Sequence, residues 1–246
     1  MLSHFSVFRN IHVLFVAFSL ATSTAFAVQP NNSLPKHIQA NYVVSKDGTA
    51  FAKVSEQYKV NGNSYSVESI TKGIGIYALL GVRKLTSVGQ VTAQGLKPQH
   101  FELHQGHSES KTLLADFDWV TNSLTMQIKG TPQVVPITAG TQDLANFAYQ
   151  FMFLPKPFKS DMTVTLTTGK KLNQYQYKIK PEFEMINVDG KQYKTIHLVP
   201  AEQGKDSVET KELWLAAEKN YILVRFLMVD EEGAKMEQTL TELHID

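Results

Sequence analysis

The chain has 246 residues, no cysteine, and a formal net charge of +1 from 24 basic and 23 acidic side chains. This length fits one large domain or two small ones, and the content of 43% hydrophobic and 19% charged residues is typical of a globular protein. The lack of cysteine excludes disulfides, zinc–thiolate sites and thiol catalysis. The near-neutral charge provides no electrostatic drive for nucleic-acid binding, and we expect none.

The N-terminal region contains an apolar segment of eleven residues, Ile11–Ala21. It has about half of the ~20 residues that a membrane-spanning helix needs, and an Ala-x-Ala pattern follows at Ala25 and Ala27. We therefore predict a secretory signal peptide over residues 1–27, cleaved after Ala27, with an uncleaved membrane anchor as the alternative. A polar tether over residues 28–36 follows, and the exported, periplasmic protein has no further transmembrane span.

Residues 37–246 alternate between apolar and polar side chains with a period of two, which predicts a single β-rich domain. The clearest runs are Ile38–Val44, Ala52–Val60, Met162–Leu166 and Tyr175–Ile179. Turn sequences that favour positive φ separate such runs, at Asp47-Gly48, Asn61-Gly62, Thr168-Gly169-Lys170, Asp189-Gly190 and Glu232-Gly233. The fold class is therefore mainly β, with a single antiparallel, strongly curved sheet, either a half-barrel or a flattened barrel meander, and one packed helix.

The helix is predicted at Asp143–Leu154, where apolar residues follow helical spacing. These apolar positions are Leu144, Phe147, Ala148 and Phe151. Thr141 is the expected N-cap, and Pro155 and Pro157 end the segment because proline cannot continue a helix.

A second apolar segment, Gly73–Gly81, lies between glycines and is too short to assign to a helix or a loop. We expect it to line an apolar ligand site together with the helix face, since the strands already supply a core. The predicted ligand-binding residues are Ile76, Tyr77, Leu79, Leu80, Leu144, Phe147 and Phe151. The glycines would let the segment act as a gate; the alternative is a plug at one end of the barrel.

A histidine cluster offers a candidate metal site. Alternation along an expected strand places His100, Glu102 and His104 on one face. His107 follows Gly106, where we expect a turn. Imidazole and carboxylate groups bind Zn²⁺, but neighbours two apart on a strand are separated by about 7 Å. A histidine-rich, solvated strand face explains the same pattern.

Sequence motifs for catalysis are missing from the chain. There is no complete G-x-S-x-G, P-loop or H-E-x-x-H pattern. We therefore expect a protein that is not an enzyme and requires no cofactor.

Trp214 lies between two leucines, and we expect it in the core.

Several segments together resemble the exported bacterial family of domain of unknown function 3108, from about Ile38 to the C terminus. They are Gly95-Leu96-Lys97-Pro98, Thr141-Gln142-Asp143, and Glu212-Leu213-Trp214-Leu215-Ala216 followed by Val224-Arg225. The family often has a proline before the last pair, where this chain has Leu223. The resemblance implies a secreted, β-rich envelope protein without an established activity, and it supplies no catalytic residues.

Three functions are consistent with these patterns. The first is a monomeric binding or carrier module for an apolar or amphipathic component of the cell envelope, such as a lipid. The second is a protein-interaction or scaffold factor in envelope assembly, in which a sheet edge binds a partner protein. The third is a metal-dependent hydrolase built on the histidine cluster.

Overall fold

The computed structural model describes residues 34–106, 112–128, 130–158, 161–201 and 209–246. The predicted signal peptide and the first part of the tether lie outside these residues. Within the described part, Leu34–Asp246 form one compact unit.

The alternating runs form strands, because residues of one parity are buried while their neighbours face solvent. The described residues form sixteen strands, which are β1 His37–Lys46, β2 Thr49–Asn61, β3 Ser64–Gly73, β4 Arg83–Thr92, β5 Gly95–Gln105, β6 Leu113–Asp118, β7 Ser123–Ile128, β8 Thr131–Pro136, β9 Gln142–Asp143, β10 Met162–Thr167, β11 Leu172–Ile179, β12 Glu184–Val188, β13 Lys191–Pro200, β14 Thr210–Ala216, β15 Ile222–Val229 and β16 Lys235–Ile245. Two short helices accompany them, a 3₁₀ helix at Gly75–Leu80 and the α-helix α1 at Phe147–Gln150.

All strands belong to one sheet in the order β8-β7-β6-β5-β4-β3-β2-β1-β16-β15-β14-β13-β11-β10-β9, with β12 paired to β13. The pairs are antiparallel except β9 and β10, which run parallel over two residues. The expectation of a wholly antiparallel sheet is therefore corrected at this edge. The strand order does not close into a ring, yet its two ends meet, since Thr167 Oγ1 in β10 donates to Met126 Sδ in β7 over 3.4 Å.

The predicted turns are confirmed. Asp47 and Gly48 both have positive φ, 49° and 82°, between β1 and β2, and Asp189 and Gly190 have 47° and 78° between β12 and β13. Positive φ at both central residues matches the twist of the flanking strands. This is why Asp-Gly pairs mark the hairpins.

The prediction of a helix over Asp143–Leu154 is wrong in extent, because α1 contains only the four residues Phe147–Gln150. Gln142 and Asp143 pair with β10 instead. Thr141 is not the N-cap; its hydroxyl donates to the carbonyl of Thr138. The chain therefore favours strand pairing and a turn over the intrinsic helical pattern, an example of tertiary contacts overriding local preference.

The short helix lies between two parts of the hydrophobic core. Tyr149 and Met152 pack in a cluster with Tyr58, Phe101 and other residues of β1–β7. Phe151, two residues from Tyr149, packs in a separate cluster on β11, β13 and β14, with Tyr177, Leu198, Leu213 and Leu215. This position between two clusters makes the helix segment the link between the two halves of the sheet.

Candidate functional site

A cavity of about 300 Å³ lies between α1 and strands β10 and β11. We call it the Gln142 cavity. Apolar side chains form much of its wall, and amide and hydroxyl side chains form the rest. Its lining consists of Phe147, Phe151, Leu154, Met162 and Val164 together with Thr138, Ala139, Gly140, Gln142, Gln150, Thr163, Thr165 and Gln174. The mixture suits a ligand with an apolar body and a polar group.

A network of buried polar groups sets the start of α1, and so the wall of the cavity. Asp143 Oδ1 accepts the backbone N–H groups of Ala145 and Asn146 at 2.9 and 3.0 Å. The side chain of Asn146 in turn accepts the N–H of Asp143 at 2.9 Å. This reciprocal arrangement satisfies the free donors of the turn, as a capping residue does at a helix start.

The same network ties the turn to the sheet. Ser87 Oγ on β4 donates to Asp143 Oδ2 at 2.5 Å, and Asn146 Nδ2 donates to Tyr65 OH on β3 at 2.6 Å. All four residues lie in the protein interior. Hydrogen bonds between buried groups hold one arrangement, because leaving any member unpaired is costly.

Gln150 at the end of α1 holds the hairpin between β4 and β5. Its Oε1 accepts the N–H of Leu96 at 2.7 Å, and its Nε2 donates to the carbonyl of Gln94 at 3.0 Å. Gly95 lies beneath this amide with φ of +117°, and a Cβ there would stand 2.3 Å from Gln150. The close contact explains why a glycine occupies this turn.

Gln142 provides the most distinctive polar group of the cavity. Its Nε2 donates to the carbonyls of Leu96 and Gly140 at 2.9 and 3.2 Å, which fixes the orientation of the amide. Its Oε1 is buried and has no hydrogen-bond partner among the described residues. A buried acceptor without a donor costs about 1–3 kcal/mol, so this oxygen offers a place for a donor group from a ligand.

Two carboxylates contact the helix segment from the sheet side: Asp143, which is fully buried, and Glu56, which is partly buried. Burial raises the pKa of Asp143 to about 7, although Ser87 and two backbone donors lower it. Burial likewise raises the pKa of Glu56 to about 7, against hydrogen bonds from Ser69 and Tyr149. Since these side chains are occupied in holding α1 to β2 and β4, we assign them a structural role.

Sequence analysis missed this polar network, although the strand pattern contained a signal for it. Glu56 occupies an inward position between Val54 and Tyr58, and Ser87 follows Leu85 on the same face of β4. A polar residue at an apolar position of an alternating strand indicates a buried hydrogen-bond partner.

The predicted ligand-binding residues occupy two separate places. Phe147 and Phe151 line the Gln142 cavity, and Leu144 packs beside them in the neighbouring core cluster. The other four lie on the 3₁₀ helix and are exposed, with relative accessibilities of 77% for Ile76, 44% for Tyr77, 86% for Leu79 and 71% for Leu80. The cavity wall includes none of these four residues. The sequence analysis expected one site, whereas the structure places its residues at the Gln142 cavity and on the exposed 3₁₀ helix.

The plug interpretation of this segment is therefore corrected. A plug buries its leucines, whereas those of the 3₁₀ helix face outward. The reason lies in the surroundings of the segment, because its contact with β2, through the ring of Phe51 against Tyr77, covers neither leucine.

The histidine cluster is an exposed hydrogen-bonded ladder. His100 Nδ1 lies 2.6 Å from Asp116 Oδ1, and His104 Nε2 lies 3.1 Å from Glu102 Oε2. The hydroxyl of Thr112 lies 3.0 Å from Nδ1, the other ring nitrogen of His104. Among the described residues no group of three or more potential ligands has metal-binding geometry, and His107, the fourth predicted ligand, lies outside them.

A second cavity, of about 290 Å³, lies near Phe158, Phe183, Ile196 and Tyr221. Its lining includes Phe158 and Asp161, and residues 159–160 between them in the sequence lie outside the described part. We regard the Gln142 cavity as the better candidate, because the buried Oε1 of Gln142, one of its lining residues, has no hydrogen-bond partner in the described part of the chain.

Trp214 is buried, as expected, at 4% exposure. Its indole ring lies between His197, with ring centroids 3.9 Å apart, and the guanidinium of Arg225, 4.6 Å from the ring centroid. Its Nε1 donates to Glu184 at 2.6 Å. The stack joins β12 to β15 and strengthens the sheet.

No helix in the part of the chain that the structure describes is long and apolar enough to cross a membrane.

Comparison with solved structures finds a barrel-like fold. A β-barrel-like protein of domain of unknown function DUF1849 from Brucella abortus superposes with a TM-score of 0.56 and 11% sequence identity, covering 85% of this chain and 98% of its own. A "putative lipoprotein" from Parabacteroides distasonis gives 0.35 and 14%, covering 86% and 96%. A DUF1329 family protein from Desulfovibrio piger gives 0.22 and 11%, covering 86% of each chain.

Sequence comparison identifies the family. A search of curated proteins finds no match. The family model for proteins of unknown function DUF3108 matches residues 38–239, which span almost the whole sheet from β1 to β16. Two of the three motifs named in the sequence analysis are in contact, since Gln142 Nε2 donates to the carbonyl of Leu96. This chain belongs to the DUF3108 family.

Proposed function

We propose that this protein is a non-catalytic binding module for an amphipathic molecule of the cell envelope, and that the Gln142 cavity receives part of that molecule. The observation that supports the proposal most directly is that Gln142, which lines a partly apolar cavity, has a buried Oε1 without a hydrogen-bond partner among the described residues. A hydroxyl or amine on an otherwise apolar ligand would complete this hydrogen bond.

The size of the cavity limits what it holds. About 300 Å³ is at the small end of the range for ligand pockets. A single acyl or aryl segment fits such a volume, whereas an entire lipid does not. We therefore expect the cavity to bind one apolar chain with its donor group next to Gln142.

The envelope location rests on the predicted signal peptide. Residues 1–27 have the apolar segment and the cleavage pattern of an exported protein. In that compartment, the molecules with an apolar body and a polar head are chiefly membrane components.

The alternatives receive less support. Strand β8 is one edge of the sheet and its Pro132 and Pro136 remove two backbone donors, and proline protects an edge from pairing. The strand at the opposite end of the order, β9, has only two residues. A metal-dependent hydrolase built on the histidine cluster gains no support, because no group of three or more potential ligands in the described residues has metal-binding geometry.

A fluorescence titration tests the apolar part of the proposal. N-phenyl-1-naphthylamine, an apolar fluorophore with one N–H donor, should bind the protein and increase in emission. Val164→Trp places a large side chain on the cavity wall and should weaken binding at least about tenfold, which corresponds to 1.4 kcal/mol. Val134→Trp, the same change on an exposed position of β8, is the control and should leave binding unaltered.

Competition with long-chain ligands tests the polar part. Decanol, which has a hydroxyl donor, should displace the fluorophore at lower concentration than decyl methyl ether, which has none. Gln142→Met should remove this preference, because one hydrogen bond contributes about 1 kcal/mol. Equal competition by both compounds in the parent protein, or absence of fluorophore binding, would contradict the proposal.

A further inference from the structure

The 3₁₀ helix and its flanks form an exposed apolar projection between β3 and β4. We call residues 74–82 the apolar tip. Its large apolar side chains are exposed at fractions between 37% for Ile74 and 86% for Leu79. Such a concentration of exposed apolar side chains marks an interaction site in a soluble protein.

The tip is held in this exposed position by its base. The N–H of Ile74 donates to the carbonyl of Phe51 at 2.7 Å, and the ring of Tyr77 packs edge-on against Phe51 with centroids 5.5 Å apart. Gly73 permits the turn, since a Cβ there would stand 2.1 Å from the carbonyl oxygen of Tyr77. The exposure of Leu79 and Leu80 is therefore built into the fold.

Two lysines lie next to the base of the tip, on the strands that lead to it. Lys53 and Lys72 lie directly opposite each other on β2 and β3, and both are exposed. Neither has a carboxylate within 4.0 Å among the described residues, whereas Lys84 pairs with Glu68 at 2.5 Å. Like charges on facing strand positions repel, so this pair would be stabilised by an external anion.

We propose that the apolar tip docks on the surface of a lipid bilayer that contains anionic lipids. Its apolar side chains enter the boundary between headgroups and acyl chains, and Lys53 and Lys72 contact lipid phosphates. This combination of apolar side chains and adjacent cations is what interfacial membrane binding requires.

The shape of the tip favours a bilayer over a protein partner. A stable protein interface buries about 800 Å² on each side, and a nine-residue convex projection offers much less. A lipid surface needs no complementary groove, because the acyl chains adapt to the inserted side chains. The site is separate from the Gln142 cavity, so each proposal can fail without the other.

Site-specific labelling tests the docking directly, because the chain contains no cysteine. Leu79→Cys and Val120→Cys, carried by the full chain, are each labelled with the environment-sensitive fluorophore NBD. Val120 is 92% exposed on the turn between β6 and β7, so it is a matched control. Vesicles of phosphatidylethanolamine and phosphatidylglycerol should cause a blue shift and a severalfold rise in emission at position 79 only.

Variants of the tip and of the lysines separate the two contributions. Leu79→Ser with Leu80→Ser should lower vesicle binding roughly tenfold or more without changing the melting temperature, since both side chains are exposed. Lys53→Gln with Lys72→Gln should abolish the preference for anionic vesicles over phosphatidylcholine vesicles. Val120→Ser with Val134→Ser is the control and should bind as the parent does.

Three outcomes would overturn the proposal. The first is an unchanged NBD spectrum at position 79 with anionic vesicles. The second is equal vesicle binding by the parent and the double-serine variant. The third is a spectral change at position 79 that depends on protein concentration without vesicles, which would identify the tip as a contact between copies of this chain.

Discussion

Asp143 illustrates how one buried side chain holds the segment that forms the cavity wall. It accepts three hydrogen bonds, from Ser87 and from the backbone of Ala145 and Asn146. Its ionised form nevertheless loses its hydration, and burial raises its pKa to about 7. Glu56 on β2 has a pKa raised to about 7 for the same reason.

These raised pKa values predict that the protein loses stability as the pH rises from about 4 to about 7. In this window the folded state retains protons on Asp143 and Glu56 that the unfolded chain has released, so raising the pH favours unfolding. Asp143 alone accounts for on the order of 4 kcal/mol, because its pKa rises from an ordinary value of about 4 to about 7. Below pH 4 and above pH 7 these two groups add no further pH dependence.

Urea denaturation across this pH range measures the effect. Asp143→Asn with Glu56→Gln should flatten the decline in the free energy of unfolding. Asp118→Asn, which removes an exposed carboxylate at the end of β6, should leave the decline in place. A parent protein whose stability is constant from pH 4 to pH 7 would contradict the assignment.

Gly95 is a second residue whose role is specific. Gly95→Ala should lower the free energy of unfolding by about 1–3 kcal/mol, because φ is +117° and the new Cβ would contact the amide of Gln150. Gly190→Ala is the matched control, since it also has positive φ but nothing within 4 Å. The excess cost at Gly95 over Gly190, measured by thermal unfolding, should shrink when Gln150→Ala is added.

At the scale of elements, side-chain stacking reinforces the pairing of β13, β14 and β15. His197, Trp214 and Arg225 lie on neighbouring strands at directly paired positions, and their rings and guanidinium stack. Arg225 also pairs with Glu237 on β16 at 2.5 Å. The stack explains why the Glu212–Ala216 and Val224-Arg225 motifs occur together.

Truncating the central ring should destabilise this part of the sheet. Trp214→Ala should cost about 3–5 kcal/mol, the usual cost of removing a buried aromatic side chain. Trp119 is the control: it is half-buried, so Trp119→Ala should cost less. Chemical denaturation compares the two variants, and an equal loss in both would show that the stack contributes nothing special.

At the scale of the whole molecule, the ends of one long sheet meet through side chains of β7 and β10. The Gln142 cavity and the apolar tip lie on separate elements of this sheet. A protein with these two features could bind an amphipathic molecule while it contacts the membrane that contains that molecule.

The proposed location also has a test at this scale. The exported protein should begin at Val28, because the apolar segment and the Ala-x-Ala pattern direct cleavage after Ala27. N-terminal sequencing of the protein from the periplasmic fraction measures this. A chain that retains Met1, or that remains in the cytoplasm, would contradict the prediction.

The sequence by itself determined the β class and the positions of the main turns. A period of two and the positive φ of Asp-Gly pairs are local properties, so Asp47-Gly48 and Asp189-Gly190 could be assigned without knowledge of the fold. The burial of Trp214 was also predictable, since its neighbours are apolar. The family is also identifiable from the sequence, because its motifs are short runs of neighbouring residues.

Only the tertiary structure decided what Asp143–Leu154 becomes and how the site is composed. Pairing with β10 and hydrogen bonds from Ser87 prevent a longer helix, and these partners lie far away in the sequence. Gln142 meets the carbonyl of Leu96, 46 residues earlier. Whether an apolar segment such as Gly73–Gly81 is buried or exposed depends on what the rest of the chain places around it, and no local pattern encodes that.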